Sequence, residues 1–387
     1  MRKVYVAGVF STPFGKLGDA SIKSLAIAAG IGAMADAKVS SEAVEHLYFG
    51  NFAAGMLQGQ KMLAAVVASG LRLTLGPATA VEGACASGGI AFHLAALAVA
   101  TGQCDIALAV GAEVMTGSTT EQVTNVLASA MDQASGEPLT GLTFAGFFSL
   151  LARRHMAVYG TTMDHFAYVA KKNRDNAQYN PRAQFFGHPV TWEKIQQSRL
   201  IAEPLRLYDC CPISDGASAA IIVSENVAKA LGGTMIEVLA STQAAGPAAL
   251  QEMDSLTSLS AVRHAAQAAY ETAHVGPEDI DIAEVHDCFS AAEVIAMEDL
   301  GFCGPGEGGP YIASGSTLWD GERPVNLSGG LLSKGHPVGA TGLAQVYEVV
   351  QQLRGTADRP ARRARIGLTH NVGGTGGAVV INILART

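Results

Sequence analysis

Charged residues are scarce in this chain of 387 residues. Only 16% of the residues are charged and 6% are aromatic, and the formal net charge is −8. Binding to the phosphates of a nucleic acid requires a basic surface, so this balance argues against a nucleic-acid partner. The low charge also favours a large buried interface between copies of the chain.

Long uninterrupted apolar runs are missing as well. A membrane-spanning helix needs about 18 consecutive apolar residues, and the apolar segment 62–75 is interrupted by Arg72. The first residues lead directly into the strand-like segment 4–10, without the apolar region and cleavage site of a signal peptide. We therefore expect no membrane segment and a cytoplasmic protein.

The cysteines lack the spacing of the common metal and redox motifs. Six occur, and no pair has the C-x-x-C spacing of a zinc ribbon or a thioredoxin-type site. Thiols in a chain of this size suggest a reducing compartment. The adjacent Cys210 and Cys211 are interpreted as packing residues, and we expect neither a metal nor a permanently bound cofactor.

Glycine and apolar residues are abundant instead. Hydrophobic residues make up 49% of the chain and there are 44 glycines, which is typical of a tightly packed α/β enzyme. Apolar strand-like segments, such as 105–111 and 280–286, alternate with alanine-rich helical ones, such as 21–36 and 258–273. This alternation predicts a sheet that is covered on both faces.

The order of the predicted elements divides the chain. Residues 1–114, completed by 213–230, form a predicted N-terminal half, and 231–387 repeat its order of elements, which suggests an internal duplication. Residues 115–212 include 11 of the 24 aromatic residues and are too long for a connecting loop, so we interpret them as an inserted loop or lid domain. Residues 304–315 are predicted to form a glycine-rich loop.

The segment 81–89, Val-Glu-Gly-Ala-Cys-Ala-Ser-Gly-Gly, places one thiol among small residues. The alanine- and leucine-rich run after it predicts a helix, so Cys85 lies at or just before a helix N-terminus. Unpaired N–H groups and the positive end of the dipole there favour a thiolate and are expected to lower the pKa of Cys85. Taken alone, the segment leaves two interpretations open, a nucleophile and a buried structural cysteine.

Three further loops carry side chains suited to acyl chemistry. His286 and Cys288 follow an apolar strand, where α/β sheets bind their ligands. His336 is flanked by glycine and proline just before a predicted helix, a rigid placement that suits a general base. The glycine-rich segment 370–377 leaves backbone N–H groups free to point at a ligand oxygen. Each loop also has a structural alternative: a satisfied histidine, a phosphate loop and a tight turn, respectively.

In this order the four loops resemble those of the thiolase superfamily. The Cys85 loop resembles its nucleophile loop and Gly335-His336-Pro337 its GHP loop. His286-Asp287-Cys288-Phe289 resembles the HDCF motif of the branch that includes the thiolase domain of sterol carrier protein X and archaeal acetoacetyl-CoA thiolases. The resemblance covers essentially the whole chain. It implies the thiolase fold, a duplicated five-layered α-β-α-β-α architecture with an inserted loop domain.

The resemblance also implies catalytic roles. Cys85 resembles the residue that carries the acyl group as a thioester, and His336 the base that activates it. His286 resembles a donor to the thioester oxygen of the substrate. The backbone N–H groups of Cys85 and Gly373 would form a second oxyanion hole, where loss of one donor typically costs about 10²–10³ in rate.

One position departs from the family pattern. Most thiolases carry a second catalytic cysteine where this chain has Asn371, and an amide cannot exchange a proton at neutral pH. The thiol of Cys288 can exchange a proton, and the resemblance to the HDCF branch implies the same residue as the acid/base. We therefore predict that Cys288 is the acid/base of carbon–carbon bond making and breaking, with His370 as a less favoured substitute.

The resemblance implies a CoA-dependent thiolase, an acetyl-CoA C-acyltransferase that condenses two acyl-CoA molecules or cleaves a 3-ketoacyl-CoA. Coenzyme A and acyl-CoA are then substrates, a homodimer or homotetramer is expected, and some relatives work with a small OB-fold partner protein. The alternatives are a decarboxylating ketoacyl synthase or another C-acyltransferase of the same fold, and a subunit of a multi-protein acyltransferase complex. Cys288 favours the thiolase, because a decarboxylating enzyme does not need a second thiol.

Overall fold

A computed structural model describes residues 2–73 and 76–387 of the protein. The strands of these residues are β1 Val4–Ser11, β2 His46–Gly50, β3 Ala78–Val81, β4 Ile106–Glu113, β5 Leu200–Ala202, β6 Leu205–Arg206, β7 Gly216–Ser224, β8 Ile236–Ala245, β9 Ile282–Glu284, β10 Ile366–Gly373 and β11 Ala378–Arg386. Three residues lie outside this description: residue 1, in the predicted N-terminal half, and residues 74 and 75, at the end of the apolar segment 62–75.

The helices alternate with these strands along most of the chain. They are α1 Ile22–Ala37, α2 Ala54–Leu57, α3 Leu63–Gly70, α4 Ser87–Ala100, α5 Thr120–Ala128, α6 Phe144–Tyr159, α7 Met163–Asn176, α8 Trp192–Gln196, α9 Glu225–Leu231, α10 Ser260–Ala273, α11 Ser290–Asp299, α12 Gly308–Ala313, α13 Gly330–Lys334 and α14 Thr341–Arg354. Among the helices of the described chain, none combines the length and the apolar character needed to cross a membrane.

Nine strands of the described residues form one mixed sheet in the order β3-β2-β4-β7-β1-β8-β11-β10-β9. Outward from its centre, the series β1-β7-β4-β2 matches the series β8-β11-β10-β9. In each series the first two pairings are antiparallel and the third is parallel. This repeated pattern of pairing confirms the predicted duplication.

The two halves of the sheet meet between β1 and β8. Only two residue pairs join these strands, Tyr5 with Glu237 and Val6 with Ile236. The sheet is therefore continuous at its centre.

Side chains of β1 alternate between two separate cores, as the period of two along a strand requires. Val4 and Val6 enter a central core with α4 and α14, whereas Tyr5 and Ala7 enter an outer core with α1 and α3. On the other half of the sheet, α10 and α11 cover the outer face of β11. The layers are therefore α-β-α-β-α with α4 and α14 in the middle, and the predicted fold class is confirmed.

The segment 115–212 contains α5 to α8 and the hairpin β5–β6. Its helices α6 and α7 pack against α11 through a shared core that includes Phe147 and Phe166. Phe148 stacks on Phe289 with ring centroids 4.9 Å apart. The segment therefore covers the loop that carries His286 and Cys288.

Residues 308–313 are helical, so the prediction of a loop throughout 304–315 is wrong. The Glu298 carboxylate accepts the N–H groups of Gly306 and Gly308 at 2.8 and 2.9 Å, which organises the start of α12. A Cβ on Gly309 would lie 2.5 Å from the His165 ring, so glycine here permits close packing on α7. These are tertiary contacts, which a local glycine pattern does not reveal.

Candidate active site

Cys85 occupies a single helical turn, Ala84–Ala86, immediately before α4, as predicted. Ala84 has φ +50°, in the left-handed region that a residue with a side chain rarely adopts. The Ser87 hydroxyl braces the turn, because it accepts the Gly83 N–H at 3.0 Å and donates to the Ala84 carbonyl at 2.7 Å. The thiol is thus presented by a strained but supported backbone.

The expected lowering of the Cys85 pKa is wrong. Burial raises the pKa of the thiol to about 12, and the Gly374 N–H directed at the sulfur offsets this only in part. A helix N-terminus contributes about 0.3–1 kcal/mol, less than one pKa unit, whereas full burial shifts a pKa by up to about 3–5 units. The resting nucleophile is therefore a thiol that needs a base.

Two imidazoles lie beside this thiol. Cys85 Sγ, one ring nitrogen of His286 and one ring nitrogen of His336 all lie within 4.8 Å of one another. The two rings are nearly perpendicular, with centroids 5.1 Å apart. Burial lowers the pKa of His336 to about 3 and the pKa of His286 well below 6.5, so both rings are neutral at physiological pH. A thiol and two imidazoles are also ligand types that zinc prefers.

His336 is held by the hydroxyl groups of a serine and a threonine. Its N–H donates to Ser214 Oγ at 3.0 Å, and its ring Nδ1 lies 2.7 Å from Thr341 Oγ1. The Thr341 hydroxyl donates to the Pro337 carbonyl at 3.1 Å, so we assign the ring hydrogen to Nδ1, which then donates to the hydroxyl oxygen. Nε2 is buried without a hydrogen-bond partner among the described residues. This free lone pair is what a general base requires.

Helices α4 and α14 both begin at the pocket. A Cβ on Gly88 would lie 2.7 Å from the Gly339 carbonyl oxygen, so the two helix starts touch through glycine. The turn of Cys85 precedes one helix, and the loop of His336 precedes the other. Equivalent places in the two halves of the fold therefore supply the thiol and its base.

The loop of His286 and Cys288 is tied to the loop of His336 by Asp287. Its carboxylate accepts the N–H groups of Leu331 and Leu332 at 2.6 and 3.2 Å, in the short helix α13 that leads to His336. Burial and the neighbouring Glu293 raise the pKa of Asp287 to about 7. Asp287 is the second residue of the HDCF motif, and its contact with α13 fixes the distance between the two loops.

A buried ionic network supports this contact from behind. Lys172 of α7 forms an ion pair with Glu293 of α11 and donates to the Val325 carbonyl at 3.0 Å. The other carboxylate oxygen of Glu293 accepts from Asn173 and Asn326, each at 2.9 Å. The network therefore links the insertion to the C-terminal half.

We expect Lys172→Met to lower the free energy of unfolding by about 3–5 kcal/mol, because it leaves the buried Glu293 carboxylate without its cation. Denaturant unfolding curves measure the change. Lys229→Met, which breaks the exposed pair with Glu225, is the matched control and should leave the midpoint unchanged. Equal midpoints for the two variants would contradict a stabilising role of the buried pair.

Cys288 has a second thiol opposite it. Cys210 pairs with Phe289 in an isolated antiparallel bridge, and the Cys211 N–H donates to the Cys288 carbonyl at 3.0 Å. Burial, with Cys85 among the neighbouring thiols, raises the pKa values of both Cys211 and Cys288 well above 9. Cys288 and Cys211 are therefore both near enough to Cys85 for its charge to raise their pKa values, and the acid/base role of Cys288 stays a prediction. Sequence alone assigned Cys211 only to packing, because this pairing depends on how the insertion folds.

Glu113 is a second residue that sequence reasoning missed. Its buried carboxylate accepts the N–H groups of Phe52, Ala53 and Gly339, each at 3.1 Å. Burial raises its pKa to about 7. This residue ties the end of β4 to the loop that follows His336. A charged residue at the end of an apolar strand is a sequence feature that could have indicated it.

The last glycine-rich loop lies against the nucleophile turn. A Cβ on Gly373 would lie 2.0 Å from the Gly83 carbonyl oxygen. The Gly374 N–H is directed at Cys85 Sγ, and the predicted oxyanion donor, Gly373, is the residue before it. His370 lies behind His286, because its Nδ1 accepts the His286 N–H at 3.3 Å. This position makes His370 a less suitable acid/base than Cys288.

Alkylation of Cys85 by iodoacetamide is expected to accelerate about tenfold per pH unit between about pH 6 and about pH 9. The physical reason is that a thiol with a pKa of about 12 gains thiolate steadily over this whole interval. Peptide mass spectrometry measures the rate at Cys85, and Cys85→Ala gives the background from the other cysteines. A plateau above about pH 7 would instead indicate a resting thiolate–imidazolium pair.

Two family descriptions match the chain in succession. Residues 4–226 match "Thiolase, N-terminal domain", and residues 242–386 match "Thiolase C-terminal domain-like". The first range contains the turn of Cys85. The second contains the loops of His286, His336 and Gly373.

Relatives align over almost the whole chain. Acetyl-CoA acetyltransferase of Methanothermobacter thermautotrophicus is 46% identical, and the alignment covers 100% of this chain and 100% of the relative. Benzoylsuccinyl-CoA thiolase subunit BbsB of Thauera aromatica is 36% identical, with 96% of this chain and 95% of the relative covered. Sterol carrier protein 2 of Gallus gallus is 36% identical, and the alignment covers 99% of this chain and 72% of the relative.

Solved structures show the same fold. The Ltp2-ChsH2(DUF35) aldolase superposes with a TM-score of 0.86 at 27% identity, covering 99% of this chain and 98% of that one. Acat5 thiolase from Ascaris suum in complex with coenzyme A superposes with a TM-score of 0.76 at 17% identity over 100% of both chains. The expected similarity to archaeal and sterol carrier protein thiolases is therefore confirmed. With both thiolase domains matched in order, and with the thiol in the first facing the imidazoles of the second, the chain belongs to the thiolase family.

Proposed function

We propose that the protein is a CoA-dependent thiolase that interconverts two molecules of acetyl-CoA with acetoacetyl-CoA and CoA. The observation that carries the proposal is the placement of Cys85 Sγ within 4.8 Å of ring nitrogens of His286 and His336, with the thiol of Cys288 close enough to interact with Cys85. Acyl transfer through a thioester needs a nucleophile, a base and an oxyanion donor, and carbon–carbon bond formation needs one further acid/base. The pocket supplies one side chain for each task.

In the first half-reaction Cys85 becomes acylated. His336 Nε2 takes the thiol proton while Sγ attacks the thioester carbonyl of acetyl-CoA. The tetrahedral oxyanion is stabilised by backbone N–H groups, for which we propose those of Cys85 and Gly373. Coenzyme A leaves as a thiolate and takes a proton from Cys288.

The second half-reaction forms the carbon–carbon bond. The Cys288 thiolate takes a proton from the methyl carbon of a second acetyl-CoA, whose thioester oxygen accepts a hydrogen bond from His286. The enolate attacks the acyl carbon on Cys85, and the departing Cys85 thiolate regains its proton from His336. Each group thereby returns to its starting protonation state, and the reverse sequence is thiolytic cleavage.

Cys288 separates this proposal from a decarboxylating synthase. Such an enzyme generates its carbanion by losing carbon dioxide, so it does not need an acid/base thiol opposite the nucleophile. Cys288 is buried, and Cys85 is near enough for its charge to raise the pKa of Cys288 further. The 46% identity to an acetyl-CoA acetyltransferase supports acetyl-CoA as the substrate.

Purified protein incubated with acetoacetyl-CoA and CoA provides the test. We expect loss of the enolate absorbance of acetoacetyl-CoA and formation of acetyl-CoA, with an acetyl adduct on Cys85 detected by mass spectrometry. Release of carbon dioxide from malonyl-CoA without thiolysis would favour the synthase. Absence of both activities from a folded protein would favour a subunit that works only inside a complex.

A homo-oligomer is a further part of the proposal. Strand β3 lies at the edge of the sheet, and Ala78, Thr79 and Ala80 are all exposed. An exposed edge strand is a surface that proteins normally cover or blunt, so we place a dimer contact there. Light scattering of the parent and of Thr79→Lys tests it, since a charge at the contact should produce monomers.

A small OB-fold partner is proposed as well. A solved structure similar to this chain is a complex with a DUF35 protein, and BbsB is named as a subunit of a thiolase. Co-expression with a candidate partner, followed by comparison of the thiolysis rate with and without it, tests whether the partner is required. A rate independent of the partner would remove this part of the proposal.

The proposed division into residues 1–114 with 213–230, 115–212 and 231–387 is supported by the repeated strand pairing on either side of β1 and β8. A cytoplasmic location is supported by the cysteines, all six of which are free in the described chain, since reducing compartments keep thiols in this state. Limited proteolysis tests the first proposal, and fractionation of the source cells tests the second.

A further inference from the structure

Asn371 stands where most of the family has a second catalytic cysteine, and the proposed reaction gives it no step. It lies on β10 opposite Val380 of β11 and is 1% exposed. Its side chain is in contact with the nucleophile loop and with one of the two imidazoles. These contacts indicate a role that does not require the residue to exchange a proton.

The amide nitrogen of Asn371 faces two acceptors. Nδ2 lies 3.0 Å from the Cys85 carbonyl oxygen and 3.3 Å from His286 Nδ1. A backbone carbonyl can only accept a hydrogen bond, so it fixes which end of the amide points in this direction. The amide is also held by its surroundings, because a Cβ on Gly342 would lie 2.3 Å from Asn371 Oδ1. The same orientation therefore directs an N–H at His286 Nδ1.

A neutral imidazole has one ring hydrogen, and its hydrogen-bond partners decide which nitrogen carries it. An N–H directed at Nδ1 requires a lone pair there, which leaves the hydrogen on Nε2. His286 then has a donor at Nε2. His336 has the opposite arrangement, with its hydrogen on Nδ1 beside Thr341 and a free lone pair on Nε2.

We propose that Asn371 is a positioning residue that holds His286 as its Nε2–H tautomer, so that one imidazole of the pair donates to the substrate oxygen while the other acts as the base. The inference rests on the proposed function for its kinetic consequence, but the tautomer itself does not depend on turnover. Two neutral imidazoles in one pocket would otherwise be chemically alike. The hydrogen-bond partners of their Nδ1 atoms make them different.

The same assignment bears on the metal alternative. A ring nitrogen that carries a hydrogen has no lone pair to offer a metal ion. With its hydrogen on Nε2, His286 has no lone pair there for a metal ion, and the lone pair on Nδ1 accepts the Asn371 N–H.

Asn371→Asp is the sharpest test, because it replaces a donor by an acceptor of nearly the same shape. The carboxylate accepts from Nδ1, which moves the ring hydrogen away from Nε2. We expect the rate of carbon–carbon bond formation to fall by about 10²–10³-fold, the usual cost of one oxyanion donor. Burst release of CoA, which reports acylation of Cys85, should fall less than bond formation, because the lost hydrogen bond to the Cys85 carbonyl does not involve the reacting sulfur.

The pH profile distinguishes this role from a structural one. In Asn371→Asp, acidification protonates His286 on both nitrogens and restores the donor at Nε2. The variant should therefore regain activity as pH falls, whereas the parent should show no such rise. A general loss of structure would lower acylation and bond formation together and would not be reversed by acid.

Asn382→Asp is the matched control. Asn382 is buried on the neighbouring strand β11, and its amide donates to Thr369 Oγ1 at 2.9 Å without contacting His286. It therefore reports the cost of a carboxylate buried in the same sheet. We expect its activity to follow its folded fraction, with the parent's pH profile.

The tautomer is measured directly by ¹⁵N NMR of protein labelled at histidine, with His286→Gln used to assign the signal. The parent should show a protonated Nε2 and an unprotonated Nδ1, and this holds as a test even if the protein has no thiolase activity or if Asn371→Asp does not fold. A protonated Nδ1 in the parent would overturn the inference. So would an Asn371→Asp variant that forms carbon–carbon bonds within about threefold of the parent rate, since one lost oxyanion donor costs far more.

Discussion

Cys85→Ser should form no detectable acetyl-enzyme and should lose thiolysis of acetoacetyl-CoA by about 10⁴-fold or more. Cys85 is partly exposed between the buried Ala84 and Ala86, and loss of hydration still raises the pKa of its thiol to about 12. A serine hydroxyl is far less acidic than a thiol, so a neutral imidazole at His336 does not generate an alkoxide in its place. The enolate absorbance of acetoacetyl-CoA measures turnover, and intact-protein mass spectrometry measures the adduct.

The serine variant keeps the shape of the turn, so its folding is the control. Its unfolding midpoint should match that of the parent, because the hydroxyl can make the same contact with the Gly374 N–H. An acetyl adduct on another residue, with turnover retained, would show that Cys85 is not the nucleophile and would remove the basis of the proposed reaction.

Cys288→Ala should separate the two half-reactions. Acylation of Cys85 by acetyl-CoA should persist, because CoA is a good leaving group and solvent can protonate it. The carbon–carbon step should fall by about 10²–10⁴-fold, the usual contribution of a positioned acid or base. Rapid-quench detection of the acetyl-enzyme, together with the steady-state rate of acetoacetyl-CoA formation, measures both.

Cys211→Ala is the matched control for this experiment. It removes the thiol of the residue whose backbone N–H donates to the Cys288 carbonyl, and it leaves the HDCF sequence unchanged. Its rates should stay close to those of the parent. If Cys288→Ala makes acetoacetyl-CoA at the parent rate while Cys211→Ala does not, the acid/base role belongs to Cys211.

The strands and central helices could be predicted because their sequences reflect burial locally. β4 is a continuous apolar run, and α4 is rich in alanine and leucine without proline. Predicted and observed limits differ by at most two residues in β4, for which 105–111 was expected and Ile106–Glu113 is observed. The four loops could be recognised for a similar reason, since each has a cysteine or histidine at a position where such a residue has few structural uses, and three of them also contain glycine.

The electrostatics of the site could not be predicted in this way. The pKa of Cys85 depends on how closely the last loop covers the nucleophile turn, which appears in the sequence only as glycines almost 300 residues away. The sequence around Cys85 indicated the helix terminus, which lowers the pKa of the thiol. It did not indicate how far the thiol is buried, and burial raises that pKa by more. Cys211 was missed for the same kind of reason, because its partner is set by the fold of the insertion.

Asn371 shows a third kind of limit. Its sequence position indicated what it does not do, since an amide is not an acid or a base at neutral pH. What it does depends on two distances, to Cys85 and to His286, that only the folded chain defines. A residue that acts through the tautomer of another leaves no pattern of its own in a single sequence.

The matching starts of α4 and α14 have a consequence for the origin of the pocket. Because the turn before each helix occupies the same place in its half, a pair of identical halves would bring together two thiols or two imidazoles, and not one of each. Complementary chemistry at this point requires the copies to differ. Because both halves belong to a single polypeptide, every nucleophile is made together with its own base, in a fixed ratio of one to one.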